Sequence, residues 1–305
     1  MAATVTIEQA GWRHRQRALR AIVAPGRDGD FVRAQAHRLA EVVGRSALLW
    51  WARRGDAPLA GAILCKGAGR AGSVLFTPVS ECPEPAVLEP LLAAATHQGL
   101  EDGLSLVQAL NEPAAPEGTH LERAGFWLLA SLAYMRLELR GPLKQSPGGP
   151  GLDWCPAADL PQGELEELIQ RTYVDSLDCP ALAGVRPMED VMASHRSAGV
   201  YRPECWWACR REGQLAGCVL VNDSSHGAES ELVYLGVASE HRGRGVGKAL
   251  LGRAIEQGVR RGRRGLTLAA DAANTPAVKL YKQAGLAVVR RREVWLRTKN
   301  PPPRR

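Results

Sequence analysis

The sequence predicts an α/β fold, with an α+β mixed sheet, made of two tandem copies of one unit. Three observations carry that prediction. Short strand-like and helix-like patterns alternate along the whole chain. A proline- and glycine-rich segment, Gly141 to Gly151, can hold neither helix nor strand and cuts the 305 residues into halves of similar size. The halves also repeat one another. Trp50-Trp51-Ala52 and Leu59-Ala60-Gly61 return 156 positions later as Trp206-Trp207-Ala208 and Leu215-Ala216-Gly217. Each copy then runs into an apolar strand ending in Ser-Glu (Ser80-Glu81, Ser239-Glu240), a helix, a strand, an Asn (Asn111, Asn274) and an Ala-Gly step (Ala124-Gly125, Ala284-Gly285). The expected domains are 1–140 and 152–299, joined by the linker 141–151 and followed by a flexible tail, 300–305.

In the second half, Leu160 to Val174 and Pro187 to Ala198 read as helices. Trp206 to Arg210 and Leu215 to Val221 read as a hairpin turned at Arg211-Glu212-Gly213. Glu231 to Ala238 is a third strand. From Val246 the apolar residues Val246, Leu250 and Ala254 recur at i, i+4, so a helix begins directly after a glycine-rich turn. Leu266 to Ala270 is a strand, Pro276 to Ala284 a helix, and Leu286 to Leu296 a closing strand. In the first half, Val74 to Val79 is the strand before the Ser-Glu pair.

Composition narrows the class. Hydrophobic residues make up 45% and charged residues 23%, which suits a globular chain and not a disordered one. No apolar run approaches the roughly 18 residues of a membrane span, and the N-terminus lacks a secretory pattern. Seven cysteines form no CxxC pair and have no histidine cluster, which supports neither a disulfide framework nor a metal site. The expectation is a reduced, cytoplasmic protein with no metal and no membrane partner. Charge is uneven: from His241 to Arg305 there are 17 Lys+Arg against 3 Asp+Glu, whereas the first 240 residues hold 22 against 29. Such a basic end fits phosphates of a nucleotide cofactor, a nucleic acid, or simply a solvated face.

The chemistry-bearing stretch is Val237-Ala238-Ser239-Glu240-His241-Arg242-Gly243-Arg244-Gly245-Val246-Gly247-Lys248. A strand runs into three alternating glycines and then a helix, a cradle for a diphosphate: glycines permit close approach, and the helix start offers N–H groups and a favourable dipole. A dinucleotide fold would want the loop after the first strand of a βαβ unit and an acid about twenty positions on. This loop follows a third strand instead, and positions 260–265 read Arg-Arg-Gly-Arg-Arg-Gly.

These residues resemble the GCN5-related N-acetyltransferases. The family's loop, Gln/Arg-x-x-Gly-x-Gly/Ala, is matched by Arg242 to Gly247. Its pattern Asn-x-x-Ala-x-x-Leu-Tyr-x-x-x-Gly-Phe is matched by Asn274, Ala277, Leu280, Tyr281 and Gly285, with Leu286 where Phe is usual. The resemblance covers about residues 151–297, and its tandem layout is similar to that of mycothiol synthase. It implies two acyl-CoA N-acyltransferase-like domains and acetyl-CoA as co-substrate, held by the backbone N–H groups of Arg242, Gly243, Arg244, Gly245, Val246, Gly247 and Lys248. The strand edge at Leu235, Gly236 and Val237 would pair with the pantetheine arm, and an amide near Leu235 would polarise the thioester carbonyl. Asn274 would orient the cofactor, and Tyr281 would protonate the departing thiolate. Glu231 is the candidate general base, with Glu229 on the same strand face; a polar residue at a strand mouth is the competing reading.

Counting from Ser80-Glu81, the first half carries Cys82-Pro83-Glu84-Pro85-Ala86-Val87-Leu88 opposite the glycine loop, and Leu121 stands opposite Tyr281. Prolines remove N–H donors and Glu84 repels phosphate, so the first domain is expected to be degenerate and non-catalytic. Acceptor residues are sought between the two helices before the hairpin, where Asp175 and Asp178 could attract a cationic amine and Cys179 has no partner that would make it a nucleophile. The expected function is acetyl transfer to a primary amine, a small molecule rather than a protein. The alternatives are a non-catalytic acyl-CoA sensor or interaction protein and a nucleic-acid-binding protein using the basic face. Missing interleaved aromatics argue against the latter, and oligomeric state is left open.

Overall fold

The computed structural model describes residues 4–44, 46–139, 151–225 and 227–300. All of the expected linker except Gly151, and all of the tail except Asn300, lie outside them. Along the chain come β1 (Val5–Gln9), α1 (Arg15–Val23), α2 (Asp30–Val43), β2 (Leu48–Arg54), β3 (Ala57–Lys66), β4 (Ala71–Phe76), α3 (Leu88–Glu101), β5 (Leu106–Asn111), α4 (Glu117–Arg123) and β6 (Trp127–Glu138). The same series follows again: β7 (Asp153–Pro156), α5 (Glu164–Tyr173), α6 (Met188–Ser197), β8 (Trp206–Arg211), β9 (Gln214–Asp223), β10 (Glu229–Val237), α7 (Val246–Arg260), β11 (Gly265–Asp271), α8 (Thr275–Gln283) and β12 (Ala287–Thr298). Element for element, the tandem repeat is present.

The compact units are not the two sequence halves. One comprises Met1–Leu129 with Glu293–Arg305, the other Ala130–Arg292, against the expected 1–140 and 152–299. The cause is an exchange of closing strands. In the first unit β1 to β4 form an antiparallel run, β4 pairs parallel with β5, and β5 is closed by β12, residues 293–298 lying antiparallel to 111–106. In the second unit β7 to β10 run antiparallel, β10 pairs parallel with β11, and β11 is closed by β6, residues 265–271 opposite 138–132. Each repeat thus lends its last strand to the other. A strand's own pattern of side chains does not specify its partner, so the closing strand expected at Leu286 to Leu296 is present but pairs in the other unit.

Each sheet is cored on both faces. In the first unit Leu49, Trp51 and Ile63 pack with α1 and α2, while Leu64, Val74 and Leu121 pack with α3 and α4. In the second, Trp206, Ala208 and Leu220 face α5 and α6, while Val219, Leu232 and Leu266 face α7. These faces expose a slip in the letter-for-letter repeat. Arg54 pairs with Ala57 across the turn Gly55-Asp56, and Arg211 pairs with Gln214 across Glu212-Gly213. The hairpins therefore correspond at an offset of 157, not 156. Trp50 matches Trp207 on one face, and Leu49 matches Trp206 on the other. A one-residue shift sends every side chain to the opposite face, so the identical tryptophan pairs do different jobs.

Two local boundaries also move. Glu212 and Gly213 both have positive φ, +53° and +78°, giving a two-residue turn that leaves Arg211 in the strand. The first helix of the second repeat starts only at Glu164, because Pro161 and left-handed Gly163 (φ +90°) break any earlier turn.

The exchange predicts how the chain can be cut. A fragment 152–305 carries β12 without β5 and leaves β11 without β6. It is expected to lack a cooperative thermal transition by circular dichroism, whereas a fragment 130–292 retains one. Equal melting of both fragments would contradict the exchange.

Candidate active site

The site begins with one extra residue in β10. Leu232 faces Val221 and Tyr234 faces Leu220, so Val233 is a bulge with no partner of its own. The parallel pairing of β10 with β11 covers only 229–231 against 265–267. Beyond it the strands part, and a cavity of about 320 Å³ opens between residues 232–237 and Ala269-Ala270. Ala238 N–H donates to Ala216 O of β9 at 2.9 Å. In an antiparallel ladder such bonding residues alternate, so Leu235 and Val237 turn their backbone groups away from β9, toward the opening. Gly236 lies between them and lines the same cavity. The nominated strand edge is therefore an unpaired edge facing a slot.

At the end of β10 a short turn, Ser239–His241, leads into the glycine loop. Gly243 (φ +71°) and Gly245 (φ +83°) are left-handed, a conformation that disfavours any side chain, and a Cβ at either would project into open space. Helix α7 starts at Val246, and Ala249 is the first N–H to bond back, to Gly245 O at 3.1 Å. The N–H groups of Val246, Gly247 and Lys248 are thus left over by the helix. Those of Gly243, Arg244 and Gly245 donate to no backbone carbonyl among the described residues. Six consecutive donors at a helix start, with Gly247 lining the cavity, fit a diphosphate. The side chain of Val246 itself is buried in the core.

Arg242 departs from its nominated role. Its N–H donates to Ser239 O, and its guanidinium donates to the carbonyls of Val237 (3.1 Å), Thr172 (2.8 Å), Val174 (2.7 Å) and Asp175 (3.0 Å). It clasps the loop after α5 onto the end of β10, and the cradle proper starts at Gly243. Asn274 lines the cavity and also caps α8, its Oδ1 accepting from Ala277 N–H at 3.3 Å. That cap, followed by Pro276, fixes the helix start beside the slot.

Tyr281 lies about two turns further along α8 and lines the same cavity. Burial, and secondarily the carboxylate of Asp178, push its phenol above the ordinary range, so it stays a proton donor. Asp178 is itself at the cavity mouth. Its Oδ1 accepts from Asp271 N–H at 3.2 Å, and Asp271 Oδ2 accepts from Cys179 N–H at 3.3 Å. Surrounding protein, and then the charge of Asp271, raise the Asp178 pKa although its side chain still reaches solvent. Burial pushes the Cys179 thiol up to about 12, which leaves it protonated and no nucleophile.

Glu231 stands where β10 and β11 are still paired, opposite Asn222 and Thr267, and is not among the residues lining the cavity. It is half-buried, and burial raises its pKa. Glu229 is engaged, accepting from Arg136 Nε at 2.6 Å. Three features had no readable signal in the sequence: the bulge at Val233, the bond between Tyr234 and Thr172, and the packing of Tyr234 against His195 with ring centroids 5.3 Å apart. Each depends on the partner strand or on α5 and α6 docking over the sheet.

In the first unit the corresponding ladder, Ala62–Lys66 against 76–72, has no bulge. The loop holds Pro83 and Pro85, Arg54 pairs with Glu84, and Leu121 is fully buried in the core.

Among the described residues, no group of three or more His, Cys, Asp and Glu could hold a metal ion, and no helix is long and apolar enough to cross a membrane.

His195, packed against Tyr234, makes the fold pH-sensitive. Burial, and then Arg186, bring its pKa down to about 4, and its Nε2 is buried without a partner. Unfolded, it titrates near 6.5, so between those values the folded chain binds fewer protons. The stability it confers is complete above about pH 6.5 and is lost as pH falls toward 4, by at most about 3 kcal/mol. Urea denaturation from pH 7.5 to 4 is expected to show this loss in the wild type and a flatter profile in His195→Gln. Parallel profiles would contradict it.

Residues 168–286 match the acetyltransferase (GNAT) family model. The mycothiol acetyltransferase of Corynebacterium aurimucosum is 34% identical over 71 residues, which spans only 23% of either chain. A GCN5-related N-acetyltransferase from Sphaerobacter thermophilus is similar in structure over 98% of this chain and 97% of its own, with a TM-score of 0.61 at 20% identity. A tandem GNAT protein from the clavulanic acid biosynthesis pathway covers 98% and 100%, with a TM-score of 0.51 at 16% identity. The whole chain has the tandem GNAT fold, and the match to the acetyltransferase (GNAT) family model lies within its second repeat.

Proposed function

We propose that the chain is an acetyl-CoA-dependent N-acetyltransferase whose second unit moves an acetyl group directly onto the primary amine of a small molecule. The observation that carries this reading is the convergence, in one unit, of the open edge of β10, the donor-rich loop 243–248 and the buried phenol of Tyr281 around one cavity. Bound acetyl-CoA supplies the activated thioester. The loop N–H groups hold its diphosphate, and the edge at Leu235 and Val237 pairs with the pantetheine arm. Leu235 N–H stabilises the charge on the carbonyl oxygen as the amine nitrogen adds to the carbonyl carbon. Glu231 takes one proton from the ammonium through water before that addition, which frees the lone pair. The carbon–sulfur bond then breaks, Tyr281 gives its proton to the sulfur, and the second nitrogen proton passes to the phenolate. A base one strand position before the slot, with its pKa raised by burial, suits the task given to Glu231.

The acceptor is read as cationic before it reacts. Asp175 and Asp178 line the mouth, and Asp178 faces Asp271 rather than a cation. Tyr173 and Tyr234 form the adjoining wall, a lining suited to a small amine. The first unit is read as non-catalytic, because its loop offers prolines and an internal carboxylate where the second offers free N–H groups.

A pure acyl-CoA sensor would need no proton donor at Tyr281. The nucleic-acid reading is weakened by Arg261 and Arg263, which are bound to Asp223, and by Arg260, which is paired with Glu256.

Thiol release from acetyl-CoA, screened over small amines, tests the reaction. Tyr281→Phe is expected to lower kcat by roughly 100-fold, within the usual span for a general acid. Glu231→Gln is expected to remove the acidic limb of the kcat/KM profile, which in the wild type falls tenfold per pH unit below the raised carboxyl pKa. A limb that persists in Glu231→Gln would reassign the base.

A further inference from the structure

The two repeats, superposed through their ladders, place an arginine at the same point of each hairpin: Arg54 before Gly55-Asp56, and Arg211 before Glu212-Gly213. The loops that follow the third strand also correspond. Pro78 (φ −57°, ψ 144°) and Ala238 (φ −57°, ψ 140°) open matching short turns, Val79–Glu81 and Ser239–His241. Six positions beyond these residues stand Glu84 and Arg244. In both units the hairpin arginine reaches that position. Arg54 grips the Glu84 carboxylate with both terminal nitrogens, Nη2 to Oε2 at 2.7 Å. Arg211 Nη1 donates to the backbone carbonyl of Arg244 at 3.3 Å.

The first unit therefore holds an anion in a two-pronged guanidinium grip where the second has an open glycine loop. Carboxylate and phosphate are recognised by guanidinium in the same way, through two parallel N–H bonds. Arg211 has little else to do. Its nearest carboxylate, Glu212, is 3.7 Å away on a mostly exposed side chain, a kind of contact that contributes little. The neighbouring Arg210 is the one tied to Glu164.

We propose that Arg211 is a positioning residue of the cofactor's diphosphate site, and that Arg54–Glu84 is the same device closed on the chain's own carboxylate. The carbonyl of Arg244 and the N–H of Gly245 belong to one planar trans peptide and point in opposite directions. Holding the carbonyl turns the Gly245 N–H to the side on which Val246, Gly247 and Lys248 present theirs. The guanidinium charge adds to the helix dipole at that end. This inference rests on the acyl-CoA reading of the second unit.

The test is thermal-shift titration of the full chain with CoA and, separately, with S-acetylpantetheine, which has neither diphosphate nor adenosine. Arg211→Gln is expected to weaken CoA binding by roughly tenfold to a hundredfold, as for loss of a charge-assisted contact. It should leave S-acetylpantetheine binding within about twofold, and Arg211→Lys should recover part of the CoA affinity. With an acceptor in hand, KM for acetyl-CoA rises while kcat at saturation holds. Unchanged CoA binding in Arg211→Gln overturns the proposal. So does equal loss of CoA and S-acetylpantetheine in both variants, which marks a merely structural arginine. A wild-type chain that binds no CoA overturns the acyl-CoA reading as well, and is told apart by that.

Discussion

The geometry of the candidate site depends on one break in a ladder. Had β10 continued in register with β11 past residue 231, the edge groups of Leu235 and Val237 would be satisfied by β11 and no slot would form. The pairing stops at residue 231, and just beyond it the extra residue at Val233 bends β10. β11 does not follow, because its other edge is held over seven residue pairs by β6. A bent strand against a pinned one makes a wedge. The glycine loop stands where β10 ends, and α8 brings Asn274 and Tyr281 to the same opening. The first unit shares the short parallel ladder, 71–73 against 106–108, but not the bulge.

The strand that pins β11 comes from the other repeat, which ties the two copies together chemically as well as topologically. β6 carries Arg136, which holds Glu229, and Tyr134, whose phenol is raised by burial and lies within the field of Glu231. The environment of the candidate base is thus partly written in the first half of the sequence, although every motif that identified the site lies in the second. The first repeat is needed in either case: its last strand closes the second unit's sheet.

Legibility followed the range of the interactions. The glycine loop, the capped start of α8 and the position of Tyr281 are set by residues within one or two turns of each other, and the sequence showed them. Leu121 could likewise be matched to Tyr281 by counting back from the Ala-Gly steps. The bulge and the strand exchange depend on partners dozens of residues away, which periodicity does not encode. Arg242 matched its motif and yet serves mainly as a clasp for the loop after α5, because four carbonyls lie within reach of its side chain. The repeated Trp-Trp-Ala letters misled in a different way. They are identical, but the hairpins align one residue off, and only the burial of each face reveals it.

Charge shows most clearly why composition alone could not decide function. The basic surplus after His241 suggested a polyanion partner, yet four of its 17 basic residues answer buried acids within the fold. Asp223 is almost wholly buried, and one of its oxygens accepts from Arg202, Arg261 and Arg263 at 2.6–2.8 Å. Burial alone would raise its pKa, but the guanidinium groups outweigh burial and the net shift is downward. Glu256, equally buried, takes Arg253 and Arg260. Three of these arginines follow or end α7, the helix whose other end carries the phosphate cradle. Locking that end of the helix to the sheet fixes where its free N–H groups point, so the arginines act on the glycine loop at a distance, by holding the helix that follows it.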